Sequence, residues 1–328
     1  MQKRQISLVL VLLLLLLSCL TGCNVMDPID LNIPEGTSVN YNNYSDNCYF
    51  DCQNDYIIRC NPYLTINAVL QKPDTSTSIV GVAQCVQLTD NHLYFIRNNK
   101  LWRQDLSSGE TDTIAIDVDS FLVIEGIVYY ISNYSDAFPQ ALVKHDLSTG
   151  SSTTLLERSD YSMDSLNYHN SQLYVITSEG LLCFDNADTY TTVCTYDITS
   201  FPYNAQISGN LLLYDSGNSL VFVNLTSGER NIISISDSAH ALDSLVYICN
   251  DNHIFASFQA TKADGSFVSN IDHADNGLYH INPQTGEKTK LSSETFNTLY
   301  LFTDDILIGN RNGKWVKIDT QTGISTPL

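Results

Sequence analysis

The side chains able to do chemistry in this 328-residue chain are nine cysteines, seven histidines and 36 carboxylates. Cys23 stands apart from the other thiols. It follows two small residues, Thr21 and Gly22, directly behind an apolar run, so it presents a nucleophile on a strip of chain that a peptidase can hold extended. Seven cysteines come after it. Cys183 and Cys194 lie about equally far from a turn at Ala187–Tyr190, and Cys48 and Cys60 are symmetric about Asn54. Both pairs are candidate disulfides in an oxidising compartment, and buried free thiols packing as small apolar residues are an equal alternative because seven is odd. Asp264, Asp272 and Asp275 share one long polar stretch and are hard oxygen donors of the type that hold Ca²⁺, although their spacing is not that of an EF-hand. The histidines are scattered, and neither H-E-x-x-H nor G-x-S-x-G occurs. No catalytic residue, metal centre or cofactor follows from linear spacing.

The elements that position Cys23 are at the chain's start. Lys3 and Arg4 precede an apolar run from Ile6 to Cys19 that is interrupted only by Ser7 and Ser18. This is a basic n-region and a short h-region, too short for the roughly 20 residues of a spanning helix. Leu20-Thr21-Gly22-Cys23 resembles the lipobox of bacterial lipoproteins. The resemblance implies diacylglyceryl transfer to the Cys23 thiol, cleavage before Cys23 and a further acyl chain such as palmitate on the new amino group. Two or more chains hold a protein on a bilayer, whereas one is marginal. The expected layout is therefore a signal peptide at 1–22, the lipidated cysteine and a polar tether at 23–43, and a folded domain at 44–328. The expected place is the extracytoplasmic side of a cell membrane. A coil of about 15 residues spans roughly 20–25 Å, which would stand the domain just off the bilayer.

The net charge is −20, and removal of Lys3 and Arg4 with the signal takes it to −22. That field disfavours nucleic acid and anionic lipid surfaces as partners. Tyr, Ile, Val, Thr and Phe are plentiful, and no stretch after residue 30 carries a sustained 3.6-residue apolar period, which points to an all-β chain.

One strand pattern recurs. It reads YIIRCN (Tyr56–Asn61), KLWRQD (Lys100–Asp105), ALVKHD (Ala141–Asp146), GLLCFD (Gly180–Asp185), SLVFVN (Ser219–Asn224), GLYHIN (Gly277–Asn282) and KWVKID (Lys314–Asp319). The closing Asp or Asn positions are 44, 41, 39, 39, 58 and 37 residues apart, and five copies run on to Gly109, Gly150, Gly228, Gly286 or Gly323. A turn pair and an apolar strand precede each copy, as in Asp90-Asn91 before HLYFI and Asn170-Ser171 before QLYVI. Four strands per unit and about 40 residues per repeat describe the blade of a β-propeller. Seven units are expected, opening near residues 38, 78, 118, 159, 199, 237 and 294, with six blades as the alternative. The weakest unit is the first, whose opening strand would be Thr37–Tyr44.

The pattern of an inner strand, a turn, L-Y-x-I, a loop and L-x-x-x-D-x-x-x-G resembles TolB-like and quinoprotein-like propellers and is similar to propeller lipoproteins of bacteria. The Trp-Asp ending of WD repeats and the Gly-Gly pair of kelch repeats are absent, and Trp102 and Trp315 are the only tryptophans, so no activity is carried over. The loops Asn133–Gln140 and Ser257–Asn276 join second to third strands and share one face. They make a candidate ligand face of Tyr134, Phe138, Phe258, Phe267, Asp272 and His273. The functional expectation is a membrane-anchored binding or scaffold module for a protein, peptide or glycan. A propeller enzyme acting on carbohydrates or small molecules, and an envelope-assembly component, are the alternatives.

Overall fold

The computed structural model describes residue 31 and residues 39–44, 49–60, 68–89, 91–133, 139–195, 205–216, 219–234, 242–260 and 275–328. They form seven four-stranded antiparallel sheets, each a simple meander of consecutive strands. The chain is a seven-bladed β-propeller, and the six-blade alternative falls away. The first strand of each blade lines the axis: Phe50–Gln53, Gln84–Thr89, Val118–Ile124, Met163–His169, Gln206–Ser208, Leu242–Cys249 and Thr298–Thr303. The fourth strands lie at the rim.

The hydrophobic core is divided into seven clusters, one in each seam between neighbouring blades. A four-stranded sheet cannot cover its own apolar face, so each blade needs its neighbour. Among the described residues no strand is exchanged between the first and last blades. Packing closes the ring there, with one side-chain hydrogen bond from Tyr300 to Asp51: Phe50 and Ile57 of blade 1 meet Tyr300, Phe302, Ile308 and Trp315 of blade 7. The Phe50 ring lies 5.2 Å from both the Tyr300 and the Trp315 rings.

The recurring Asp and Gly build the turn between third and fourth strands. Asp105 Oδ1 accepts from the Ser107 and Ser108 amides, and its carbonyl accepts from the Gly109 amide. Gly109 has φ +76°, a conformation with no steric cost only for glycine. The same bonds recur at Asp146, Asn224, Asn282 and Asp319. At Asp185, which lacks the glycine, Asp188 takes positive φ instead.

The first blade departs from the expected phase. Tyr56–Arg59 is its second strand, not its third, and Thr77–Gly81, which spans the expected start of the second unit near residue 78, is its rim strand. Residues Tyr41–Tyr44, expected as an opening strand, form one 3₁₀ turn. The reason is chemical: Asn42 and Asn43 carry amides that pair with other strands' backbones and draw the segment off the sheet edge.

That turn fills the axis. Asn42 Nδ2 donates to the carbonyls of Ile207 (2.6 Å) and Cys249 (2.8 Å), while its Oδ1 accepts from Asn167 Nδ2 (2.7 Å) and the Ile207 amide (2.9 Å). Asn43 closes a two-bond ring with the Leu301 backbone at 2.9 and 3.1 Å, as another strand residue would. Tyr44 donates to Asp51 (3.0 Å). Blades 1, 4, 5, 6 and 7 thus converge on this four-residue plug.

Candidate functional site

Three kinds of place were candidates: the axis, the expected loop face and the seams. The axis is occupied. Beside the plug sits Asp51, 1% exposed. Its carboxylate accepts from the Leu88 amide of blade 2 (2.6 Å), Tyr300 of blade 7 (2.8 Å), Tyr44 and the Cys52 amide. Burial pushes its pKa up to about 6 against the pull of those four donors. An acid of that pKa in a cleft would invite a catalytic reading. Here it is sealed from solvent and fully bonded, so it is a latch holding three blades and the plug. Gln87 does similar work on the Val123 backbone (2.8 Å in both directions), and Gln206 on Tyr247 and Cys249.

The expected loop face divides. Phe258 does not belong to it: the ring is 2% exposed and stacks on Tyr279 at 4.6 Å inside the seam of blades 5 and 6. Strand Ile254–Ala260 runs further than expected and turns Phe258 inward. Tyr134, Phe138, Phe267, Asp264, Asp272 and His273 lie outside the described residues, as does Cys23. Asp275 is half-buried and its carbonyl accepts from the Tyr279 hydroxyl (3.0 Å).

The disulfide expectation for Cys183 and Cys194 is corrected. Cys183 faces Thr191 and Cys194 faces Leu181 across the hairpin, and a register shift separates them, so the thiols are not opposite and both are free. Cys48 lies outside the described residues, while Cys60 is a buried thiol that desolvation pushes up to about 12. Cys52 and Cys249 are likewise pushed up by burial. Such thiols are inert packing groups.

Among the described residues, an open seam groove of about 210 Å³ lies between blades 3 and 4. It opens on the face of the 1–2 and 3–4 turns, opposite to the long 2–3 loops. Ile124, Leu155, Leu173 and Phe184 form its apolar floor, and Tyr129, Lys144, Tyr168, Ser171, Asn186 and Asp188 supply the polar wall. Lys144 projects from the third strand of blade 3 and crosses the seam, placing Nζ 2.8 and 2.9 Å from the two Asp188 oxygens. This bond raises the lysine's pKa. Burial raises that of Tyr129, which faces Lys144 across the strand pair. The equivalent pair in blade 2 is Tyr94 and Arg103, but Arg103 bonds Asp112 of its own blade and crosses nothing. Tyr168 meets the plug: its ring is edge-on to Tyr41 at 5.1 Å. Burial, with Tyr168 and Glu125 nearby, pushes the Tyr41 phenol up to about 12.

Two of the three carboxylates that line the groove are already engaged. Asp185 is spent on the Ala187 and Thr189 amides and the Thr189 hydroxyl, which hold its carboxyl below the usual range, and Asp188 is spent on Lys144. The third, Glu125, stands at the exposed lip. Lys144 lies in a repeat strand and Ser171 in a turn pair, and neither stands out by type or spacing in the sequence. The available signal was a lysine amid apolar residues in A-L-V-K-H-D.

No protein-family model matches the chain, and no curated protein matches it either. Solved structures do. A chain of the mitotic checkpoint complex is similar over 88% of this chain and 92% of its own, at 15% identity and TM-score 0.56. PorZ of Porphyromonas gingivalis, a surface component of the type-IX secretion system, is similar over 87% of this chain and 38% of its own, at 10% identity and TM-score 0.55. An oligogalacturonate lyase in complex with manganese covers 84% of this chain and 88% of its own, at 11% identity and TM-score 0.52. A secretion component and an enzyme at such low identity establish the propeller and nothing finer.

Proposed function

We propose that the chain is an exported lipoprotein, anchored through Cys23 on the extracytoplasmic side of a membrane, whose propeller is a binding module with its ligand in the groove of blades 3 and 4. The anchoring part rests on the basic start, the short apolar run and Leu20-Thr21-Gly22-Cys23. Among the described residues no helix is long and apolar enough to cross a membrane. The binding part rests on one observation. The axis is filled by the chain itself, while the groove keeps the Tyr129 and Tyr168 hydroxyls without a hydrogen-bond partner among the described residues.

Residues 23–43 are more than a spacer in this reading. Leu31 is 8% exposed against the seam of blades 7 and 1, and residues 40–44 are in the axis. The free tether is therefore shorter than the 23–43 expected, and the ring stands close to the bilayer.

Two measurements test the reading. Palmitate labelling should mark the wild-type protein and disappear in Cys23→Ala, which should leave the membrane fraction; equal attachment of the variant refutes the anchor. For the module, envelope extract fractions should raise the melting temperature of the wild-type ring and leave Lys144→Met unmoved. An equal rise in both would place the ligand elsewhere.

A further inference from the structure

We propose that the groove between blades 3 and 4 takes a neutral saccharide, bound by its ring face and two adjacent hydroxyls; this rests on the reading of the groove as the binding site. The chemistry of the wall selects the class. Lys144 Nζ and Asp188 Oδ atoms stand side by side, a donor beside an acceptor, and are held there by their mutual bonds at 2.8 and 2.9 Å. A vicinal diol matches such a pair, because each hydroxyl donates once and accepts twice. The phenol hydroxyls of Tyr129 and Tyr168, without a hydrogen-bond partner among the described residues, extend the same mixed pattern along the groove with the Ser171 hydroxyl and the Asn186 amide. The Phe184, Leu155 and Leu173 side chains give the C–H face of a ring an apolar floor.

Charge argues against the competing classes. An anionic ligand meets Glu125, Asp185 and Asp188 against one lysine already neutralised, on a chain of net −20. A cationic ligand would need free carboxylates, yet Asp185 is held by its own turn and Asp188 by Lys144. Glu125 alone is left, at the exposed lip. Size agrees with a small ligand: about 210 Å³ is below the roughly 300–1,000 Å³ of drug-sized sites. An open groove also lets a longer chain run out over the lip.

The ion pair is a positioning device as much as a contact. It joins the two blades that form the walls, so its loss removes both the diol partner and the fixed spacing. Tyr168 connects the site to the plug through Tyr41.

The test uses the full mature chain in detergent with maltose, cellobiose and N,N′-diacetylchitobiose as saccharide probes and spermidine as the amine probe. Saturation-transfer NMR and calorimetry read binding for the wild type, Lys144→Met and Tyr168→Ala, with melting temperature as the folding control. At least one disaccharide should bind, and each variant should weaken it tenfold or more while staying folded. Binding of spermidine alone, lost in the variants, overturns the saccharide and leaves the groove as a binding site. Saccharide binding that survives both substitutions overturns this site. No binding by any probe overturns the proposal, and a surviving melting shift with envelope extract shows that the module reading outlives it. Should Tyr168→Ala fail to fold, Tyr168→Phe removes only the hydroxyl and serves in its place.

Discussion

The axis and the groove of blades 3 and 4 are both concave, polar and tyrosine-lined, yet one is spent and the other is not. At the axis every amide oxygen and nitrogen of Asn42 and Asn43 meets a backbone or side-chain partner from inner strands, and Asp51 accepts four hydrogen bonds. In the groove, Lys144 and Asp188 satisfy each other at the surface while two phenols have no hydrogen-bond partner among the described residues. Buried polar groups are costly unless paired, so a filled axis must be a complete network. A groove open to water has no such requirement, because water pairs what the protein does not. The difference separates polar residues that stabilise the ring from polar residues that remain available to a ligand.

The sharpest way to break the comparison is Asn42→Ala. It strands the Asn167 amide and removes the side-chain partner of the Ile207 amide and carbonyl, while the Cys249 carbonyl keeps its bond from Asn40, and urea unfolding should show a loss on the order of 4 kcal/mol, from about 1–3 kcal/mol per stranded group. A loss below about 1 kcal/mol would mean that the plug is not part of the cooperative fold.

Asp51 gives the next effect, through pH. Its folded pKa of about 6 lies above the ordinary 3.8, so the folded protein holds the proton more tightly than the unfolded chain. Stability from this group is present at low pH and is lost as pH rises from about 4 to 6. The size is about 3 kcal/mol for a shift of roughly two units. Asp51→Asn cannot titrate. The stability difference, wild type minus variant, should therefore fall by about that amount between pH 4 and 7, and a flat difference would refute the raised pKa. The turn aspartates Asp146, Asp185 and Asp319 work in the opposite sense, because bonds to their carboxylates lower their pKa and their contribution is lost as pH falls through the folded value. The variant difference cancels them.

Tyr168→Leu tests the place where the two regions touch. It removes the edge contact with Tyr41 and should cost about 1 kcal/mol in thermal unfolding. The smallest effect belongs to the groove proper. Lys144→Met should change stability by less than about 0.5 kcal/mol, since the pair with Asp188 is about a third exposed on both sides and screened. A much larger loss would make Lys144 a structural staple and blur the distinction.

Much of the ring was legible in the chain. The D-x-x-x-G turn, L-Y-x-I strand and near-constant spacing are local features with local causes: an Asp that bonds the next amides, a glycine with positive φ, alternating faces. They are what makes a blade, and they predict seven. The first blade escaped because its turn carries no such glycine and its inner strand, F-D-C-Q, is broken by a charge. That charge, like Gln87 in C-V-Q-L and Gln206 in A-Q-I-S, is a trace of the axial network. In sequence, a polar residue within an apolar strand does not name its partner.

What the amino-acid order determined by itself was the repeat and the fold class, because both rest on contacts between residues near in sequence. What the tertiary structure decided was which polar residues meet. Asn42 finds Cys249 across 207 positions, and Tyr300 finds Asp51 across 249. Lys144 finds Asp188 across 44, one blade along. Closing a ring brings distant inner strands together at one axis, and only that closure determines whether an asparagine plugs a channel and whether a lysine at a seam is left facing a groove.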